Sequence, residues 1–494
     1  MSKKNIFIFQ QRDWALKFGH ILAKKLSKAD HRLSTLTFKK TTNKFIKTQS
    51  DVKYDFIYSH DAILENPKKF LEGKDYSFSE IEKEIDFKEI WKLIQSSRFL
   101  TKSYQKKFFY SFEQNLDDKE IKLYVKAIYK LCKQIYKDFK PDIIFAPNFV
   151  SFPHLFFNLY FKNKGIKMLA TSETKIDNSF YITRSFLEDD SFFIDNYFKN
   201  KEKKIIHNKE KVNNYIDRFL NKQIKNSKKN IKLKILIKDF LKLQINIVKK
   251  IFFKNPNKIN NVGATLDDKS IKILLRDFFL NYYFKFKANN YKYDNFYEIE
   301  NFAYLPLQFQ PEESIDVQAP RFNNMIELAR QVAMSLPGDM TLIVKDHPGM
   351  FGLRNPKYLN KIKNLPNVKL VDYSINPHEI LKKTKIVIAS TGTVLFEAAI
   401  RKVPAIQLGG LKKTSILPNV TNCNNYDQIN DLITNKLNEN LNNEEYDFNL
   451  SNYISSMYDC SFDSNYLGVW ENNESGDVTK IIDFFINSII NESK

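Results

Sequence analysis

The residues best suited to chemistry sit in two short runs, "VKDHPGMFGLR" at 344–354 and "IVIASTGTVLFEAA" at 386–399. The first begins as a buried strand and breaks at His347-Pro348-Gly349. The proline keeps the residue before it extended, so His347 is held at a strand end. With Lys345 and Arg354 it makes a cationic group suited to phosphate. The second run is an apolar strand, then Ser390-Thr391-Gly392-Thr393, then a helix. Such a turn caps the helix, whose free N–H groups and dipole favour an anion. Gly392 lets a phosphate come close to the backbone. Thr393 and Glu397 are four apart and share a helix face, where Glu397 can accept from ribose hydroxyls. The pattern reads as a nucleotide-phosphate site. The plainer alternative is that Ser390 or Thr391 only caps the helix and Glu397 faces solvent.

Other chemistries find less support. No second histidine stands at metal-ligand spacing from His347, and only His378 lies nearby, so no metal is expected. The sequence has no GxGxxG and no GxxxxGK[ST], which disfavours a dinucleotide cofactor and a P-loop kinase; no cofactor is expected.

These loops need elements to hold them. From about Phe302 the sequence alternates strand and helix: strands at Ala303–Leu307, Thr341–Lys345, Val368–Val371, Ile386–Ala389 and Ala405–Leu408. Helices are expected near Arg321–Ser335, Pro356–Asn364, Pro377–Lys383 and Thr393–Arg401. In an open α/β sheet, ligands bind outside the carboxyl ends of the strands. Gln308, Gln310, Pro311, Glu312 and Glu313 follow the first strand, and Gly409 and Gly410 the fifth. Gln310 and Gly409 are therefore cleft candidates too. The N-terminal part alternates more loosely, with strands at Asn5–Phe9, Val52–Tyr58, through Phe145, and in "GIKMLATSE" at 165–173. The expected organisation is an acceptor-side α/β domain over 1–295, with a helical basic segment at about 186–295. A second doubly wound domain over 296–425 follows, and a helical tail over 426–494 packs back on the body.

Composition sets the outer limits. A chain of 494 residues is too long for one core. Three scattered cysteines make neither a metal spacing nor a disulfide framework, which fits a reducing cytoplasm. The short apolar run after Met1 stops at Gln10, and the uncharged stretch Ile143–Phe161 is broken by Pro147 and Pro153, so no signal peptide or membrane span is expected. The net charge of +21 is concentrated: Lys222–Lys258 holds twelve lysines and one acid, Asp239. There Leu233, Leu236, Ile237, Phe240, Leu243, Ile247 and Ile251 share one helix face, and Lys234, Lys238, Lys242 and Lys249 lie opposite. Such a helix packs one face on a core and solvates its lysines, or lies on an anionic membrane surface. Nucleic-acid signatures are missing, so no nucleic acid is expected.

Taken together, "YLPLQFQPEES", "VKDHPGMFGLR", "LPNVKLVD" and "STGTVLFEAAIRKVPAIQLG" resemble the capsule polysaccharide biosynthesis family of GT-B glycosyltransferases. The resemblance covers about residues 302–410, with a looser match at "KPDIIFAPN…GIKMLATSETKI". It implies two Rossmann-like domains facing across a cleft. A nucleotide-activated sugar would bind the second domain and a glycan or glycolipid acceptor the first. The His-Pro pair also resembles the motif with which Kdo- and sialyl-type transferases hold a CMP-sugar. By that resemblance His347 contacts the donor phosphate, Ser390 and Thr391 help bind it, and a CMP-sugar such as CMP-Kdo is the favoured donor. The family's acceptor-side acidic motif is not found, which leaves Glu173, Asp13 and Glu312 as candidates for the base. The resemblance implies an enzyme that works in the cytoplasm, metal-free, either free or peripheral on the inner face of the membrane. Other readings are a non-hydrolysing nucleotide-sugar epimerase and a non-catalytic polysaccharide export protein.

Overall fold

The computed structural model describes residues 3–105, 114–222, 233–472, 474 and 476–492. Among them are two six-stranded sheets. The first contains β1 (Asn5–Gln11), β2 (Arg32–Phe38), β3 (Phe56–Ser59), β4 (Ile143–Phe145), β5 (Lys167–Glu173) and β6 (Phe180–Thr183). Its order is β3-β2-β1-β4-β5-β6, parallel except for the antiparallel pair β5–β6. The second contains β7 (Phe302–Pro306), β8 (Thr341–Lys345), β9 (Val368–Val371), β10 (Ile386–Ala389), β11 (Ala405–Gln407) and β12 (Val420–Asn422). It runs β12-β11-β10-β7-β8-β9, with every pair parallel. In both sheets the order reverses beside the first strand, as in a Rossmann sheet, and a crevice forms at that switch point. The two sheets face across a cleft, the GT-B arrangement.

The central strands are covered on both faces and read accordingly as apolar runs: Ile6–Phe9 and Ile386–Ala389 are buried throughout. One face of the first sheet carries the helix Asp118–Asp138. It starts at a capping box between Asp117 and Glu120 and buries Ile121, Tyr124, Val125 and Ile128. The opposite face carries Trp14, Phe18 and Leu22, and against them the C-terminal helix Val478–Glu492 packs Ile481, Ile482, Phe485 and Ile489. Arg184 holds that helix by a bidentate pair to Glu492, at 2.8 and 2.6 Å. The tail thus returns to the first domain.

Three strands escape the sequence reading. β2, "RLSTLTF", is buried from Leu33 to Phe38 although its hydroxyl residues hide the apolar pattern; Thr35 is satisfied by the Ile8 carbonyl at 2.7 Å. β6 and β12 are too short to show a period. The strand expected from Val52 begins only at Phe56, and the helix expected from Arg321 starts at Met325, capped by Asn324 after a turn at Pro320–Phe322. The segment 186–295, expected with the first domain, divides. Phe193, Ile194, Tyr197 and Val212 join the core of the second sheet with Tyr453 and Ile454 of the helix Glu444–Cys460. Of Lys222–Lys258, residues 223–232 lie outside the described residues. Within the rest, Leu233–Phe252 forms a helix, followed by a second helix, Ile271–Asn289.

Candidate functional site

A cavity of about 1170 Å³ lies between the carboxyl ends of the two sheets. That exceeds the few hundred to about 1,000 Å³ of an ordinary small-molecule pocket. It has room for two reactants.

On the side of the second sheet, the loops after β7, β8 and β10 meet. Thr391, Gly392 and Thr393 line the cleft at the start of the helix Thr393–Ile400. The turn is fixed from two sides: the Gln308 amide donates to the Thr391 carbonyl at 2.9 Å, and the Thr391 hydroxyl donates to the Ser314 carbonyl at 3.0 Å. Gly392 has φ +112°, a conformation that disfavours any side chain. Ser390 is buried, and its Oγ has no hydrogen-bond partner among the described residues. Glu397 lies one turn in, and burial pushes its carboxyl above the ordinary value.

From β8, Lys345 and His347 reach the cleft. Burial lowers Lys345 to about 8 against the pull of Asp346, Asp372 and Glu397. The His347 ring accepts the Gly349 N–H at Nδ1, 3.0 Å away, which leaves Nε2 to carry the hydrogen. Burial also lowers His347, with Glu312 and Asp346 opposing. His347 is therefore a neutral donor near pH 7. Gly349 serves this arrangement: an added Cβ would come within 2.9 Å of His347 Nδ1 and 3.0 Å of Phe309.

Three expected cleft residues have other work. Arg354 is buried and donates to Asp346 at 3.0 Å, Gln310 at 3.2 Å and the Gln308 carbonyl at 2.8 Å. It ties the loops after β7 and β8 together and does not line the cleft. Gln310 is buried with it, its amide donating to the Asn323 carbonyl at 2.7 Å. Gly409 packs behind the turn, where a Cβ would meet the Ser390 carbonyl at 2.6 Å.

Of the candidate bases, Asp13, Glu173 and Glu312 all line the cleft. Glu173 pairs with Lys175, and Glu312 accepts from the Ser314 hydroxyl at 2.6 Å. The sequence places their neighbour Glu313 at the same strand end without marking it as a candidate base. Burial lifts its carboxyl to about 8, helped by Glu188 and opposed by Lys413. Lys413 reaches across from the second domain to Glu188, 3.1 Å away, and to the Glu173 carbonyl at 2.9 Å. No motif marks these residues, since they come from separate elements.

The first sheet brings a second missed group. Arg12 and Lys39 follow β1 and β2, both with positive φ, and both bind Asp267, at 3.1 and 2.7 Å. Beside them Phe38 is stacked between His60 and His154, with ring centroids 4.7 and 5.1 Å away. His60 contacts Asp61 at 3.2 Å and the Tyr124 hydroxyl at 2.7 Å. Burial drives His154 down to about 3, with His60 adding to the effect. His154 therefore stays neutral. No group of three His, Cys, Asp or Glu among the described residues is placed to hold a metal ion.

Residues 202–411 match the model of the family described as capsule polysaccharide biosynthesis protein. The matched stretch includes the loops after β7, β8 and β10 that line the cleft. No curated protein matches the sequence. Among solved structures, the chain is similar to the beta Kdo 2,7 transferase KpsC of Thermosulfurimonas dismutans, at 12% identity over 78% of this chain and 94% of that one, TM-score 0.31. It is also similar to the UDP-GlcNAc 2-epimerase of Methanocaldococcus jannaschii, at 13% identity over 92% and 99%, TM-score 0.25. A glycosyltransferase of Rickettsia africae aligns at 11% identity over 99% and 100%, TM-score 0.26.

Proposed function

We propose that the chain is a glycosyltransferase that moves a sugar from a nucleotide-activated donor to a surface or capsular polysaccharide, or to a lipid-linked glycan. One observation carries the reading: Thr391-Gly392-Thr393 at a helix N-terminus, Lys345 and His347 all line one cleft at the switch point of the second sheet. Backbone N–H groups and the helix dipole would take the donor phosphate. The Nε2 hydrogen of His347 and the Lys345 ammonium would stabilise its charge as the sugar leaves. Because Arg354 is committed to Asp346, the donors that remain suit a single phosphate. A CMP-sugar such as CMP-Kdo is the donor this favours. Glu397 stands one turn along the helix, in position for ribose hydroxyls.

The acceptor would enter between β1, β2 and the loop before Ile271. A carboxylate of the cleft removes the proton of the attacking hydroxyl. Glu313 fits that task best, because a base near 8 holds a proton well at neutral pH. The attacking oxygen bonds to the anomeric carbon, the bond to the phosphate oxygen breaks, and the nucleotide leaves as its phosphate. The three buried, free cysteines agree with a cytoplasmic setting.

The test is thermal stabilisation by CMP, CDP, UDP, GDP, UMP and ADP, since a ligand of the folded state raises its melting temperature. CMP should shift the wild type and leave His347→Ala nearly unshifted. Loss of one charge-assisted contact predicts about tenfold weaker binding or more. No shift with any nucleotide would sink the transferase reading, and conversion of a nucleotide-sugar without acceptor would replace it by an epimerase.

A further inference from the structure

The helices Leu233–Phe252 and Ile271–Asn289 form a hairpin with an unusual outer face. Tyr282 donates to Asp239 at 2.7 Å, Phe240 meets Phe278 at 5.8 Å, and Lys250 binds Asp268 at 3.0 Å. Partner numbers fall along one helix as they rise along the other, so the pair is antiparallel. Leu243 of the first helix is buried on the same side as Asp239 and Phe240, and Ile273 and Phe284 of the second are buried. Each leaves an apolar stripe uncovered. Ile237, Leu241 and Val248 share one side of the first helix, and Phe279, Tyr283 and Phe286 one side of the second. Each stripe lies clockwise from the contact seam, seen down its own helix. In an antiparallel pair this puts both on the same outward face. Phe279 is 62% exposed and Phe286 58%, against an ordinary core aromatic near zero.

The cations have a matching place. Lys234, Lys238, Lys242 and Lys249 line the stripe next to the apolar one on the first helix. The two helices hold nine cations, Lys234, Lys238, Lys242, Lys249, Lys250, Lys272, Arg276, Lys285 and Lys287, against Asp239 and Asp277. Neither helix is long and apolar enough to cross a membrane. We propose that this hairpin is a docking foot for an anionic lipid bilayer. Its aromatic and aliphatic stripes enter the headgroup region, and the lysines extend to lipid phosphates. A second copy of the chain fits less well, because a two-fold contact would set the same cations against each other.

The foot is joined to the cleft. The segment between its helices contributes Val262, Thr265 and Asp267 to the cleft wall, where Asp267 binds Arg12 and Lys39. Docking would hold the acceptor side of the cleft near the lipid surface, which suits an acceptor glycan carried on a lipid. That last step rests on the transferase reading; the docking itself does not.

The experiment is co-sedimentation of the full chain with vesicles of phosphatidylglycerol and of phosphatidylcholine, at low and high salt. The wild type should pellet with the anionic vesicles and be released by salt. The double variant Val248→Glu/Phe279→Glu, both sites exposed, should bind about tenfold less or weaker still with an unchanged melting temperature. Equal binding to both lipids, or no binding, overturns the proposal. So does a dimer in the wild type that the variant dissolves, since a second copy would then own the face. The nucleotide shift of the same variant reports on the transferase reading separately.

Discussion

Replacing Arg354 by methionine would remove a buried guanidinium with three hydrogen bonds and leave its stem volume nearly filled. Asp346, itself 5% exposed, would lose its counter-charge. Breaking one partner of such a pair costs about 3–5 kcal/mol, because the other charge stays buried. The loss reaches the donor site through one bond: Asp346 also accepts the His347 N–H at 2.8 Å. Burial already holds the Asp346 carboxyl above its ordinary value, against the opposing charge of Arg354. A carboxyl raised in the folded state keeps a proton that the unfolded chain releases, so stability falls as pH rises from the unfolded value toward the folded one. Without Arg354 the folded value rises further. Arg354→Met should therefore stand closest to wild type at acid pH and drop behind as pH increases. Urea unfolding of Arg354→Met, Asp346→Asn and the double variant measures this. The double variant should lose less than the sum of the singles, by about 1–3 kcal/mol, and recover part of the CMP shift. If Arg354→Met were as stable as wild type yet failed to bind CMP, Arg354 would be a donor contact and its role as a tie would be wrong.

Glu313 gives a prediction in pH. If it is the base, transfer should rise with pH to a plateau above about 8, and Glu313→Gln should lose the activity and the profile. Its raised proton affinity also means that wild-type stability falls between the ordinary 4.5 and about 8, a fall that Glu313→Gln removes; an unchanged stability curve would count against the burial assigned to it. Gly409→Ala would press a Cβ onto the Ser390 carbonyl at 2.6 Å and Ala319 at 3.0 Å, costing about 1–3 kcal/mol and weakening the nucleotide shift. Gly338→Ala, which meets nothing within 4 Å, is the control and should leave both unaltered.

The second sheet was legible because its chemistry is contiguous. Each strand of "TLIVK" or "IVIA" is a short apolar run, and its end residue opens a loop that lines the cleft. His347, Lys345, Thr391 and Gly392 each follow or end such a strand, so the sequence itself places them at one carboxyl end of the sheet. Arg354 was misread for a physical reason. A cation near a histidine in sequence suggests phosphate, but the residue that neutralises it, Asp346, is equally close and wins once both are buried. The first sheet was harder. β2 carries Ser34, Thr35 and Thr37 in buried positions, so its strand pattern is blurred. Arg12, Lys39, His60, His154 and Asp267 meet only through the fold, and their spacing in the chain signals nothing. Glu313 was visible beside Glu312, yet only burial near Glu188 separates it from an ordinary surface acid.

Charge balance then separates the two walls of the cleft. On the first sheet's wall the cations Arg12 and Lys39 are already answered by Asp267. An anion arriving there would have to displace a carboxylate. On the second sheet's wall Lys345 makes no ion pair among the described residues and gives its ammonium to the Tyr373 carbonyl at 3.3 Å. It stands near a helix N-terminus, whose partial positive charge has no acidic residue in its first turn. A buried ammonium lowered to about 8 gains from an anion that restores its charge. Of the two walls, the second sheet's is the one where a phosphate relieves an electrostatic cost, which supports the proposed placing of the donor there.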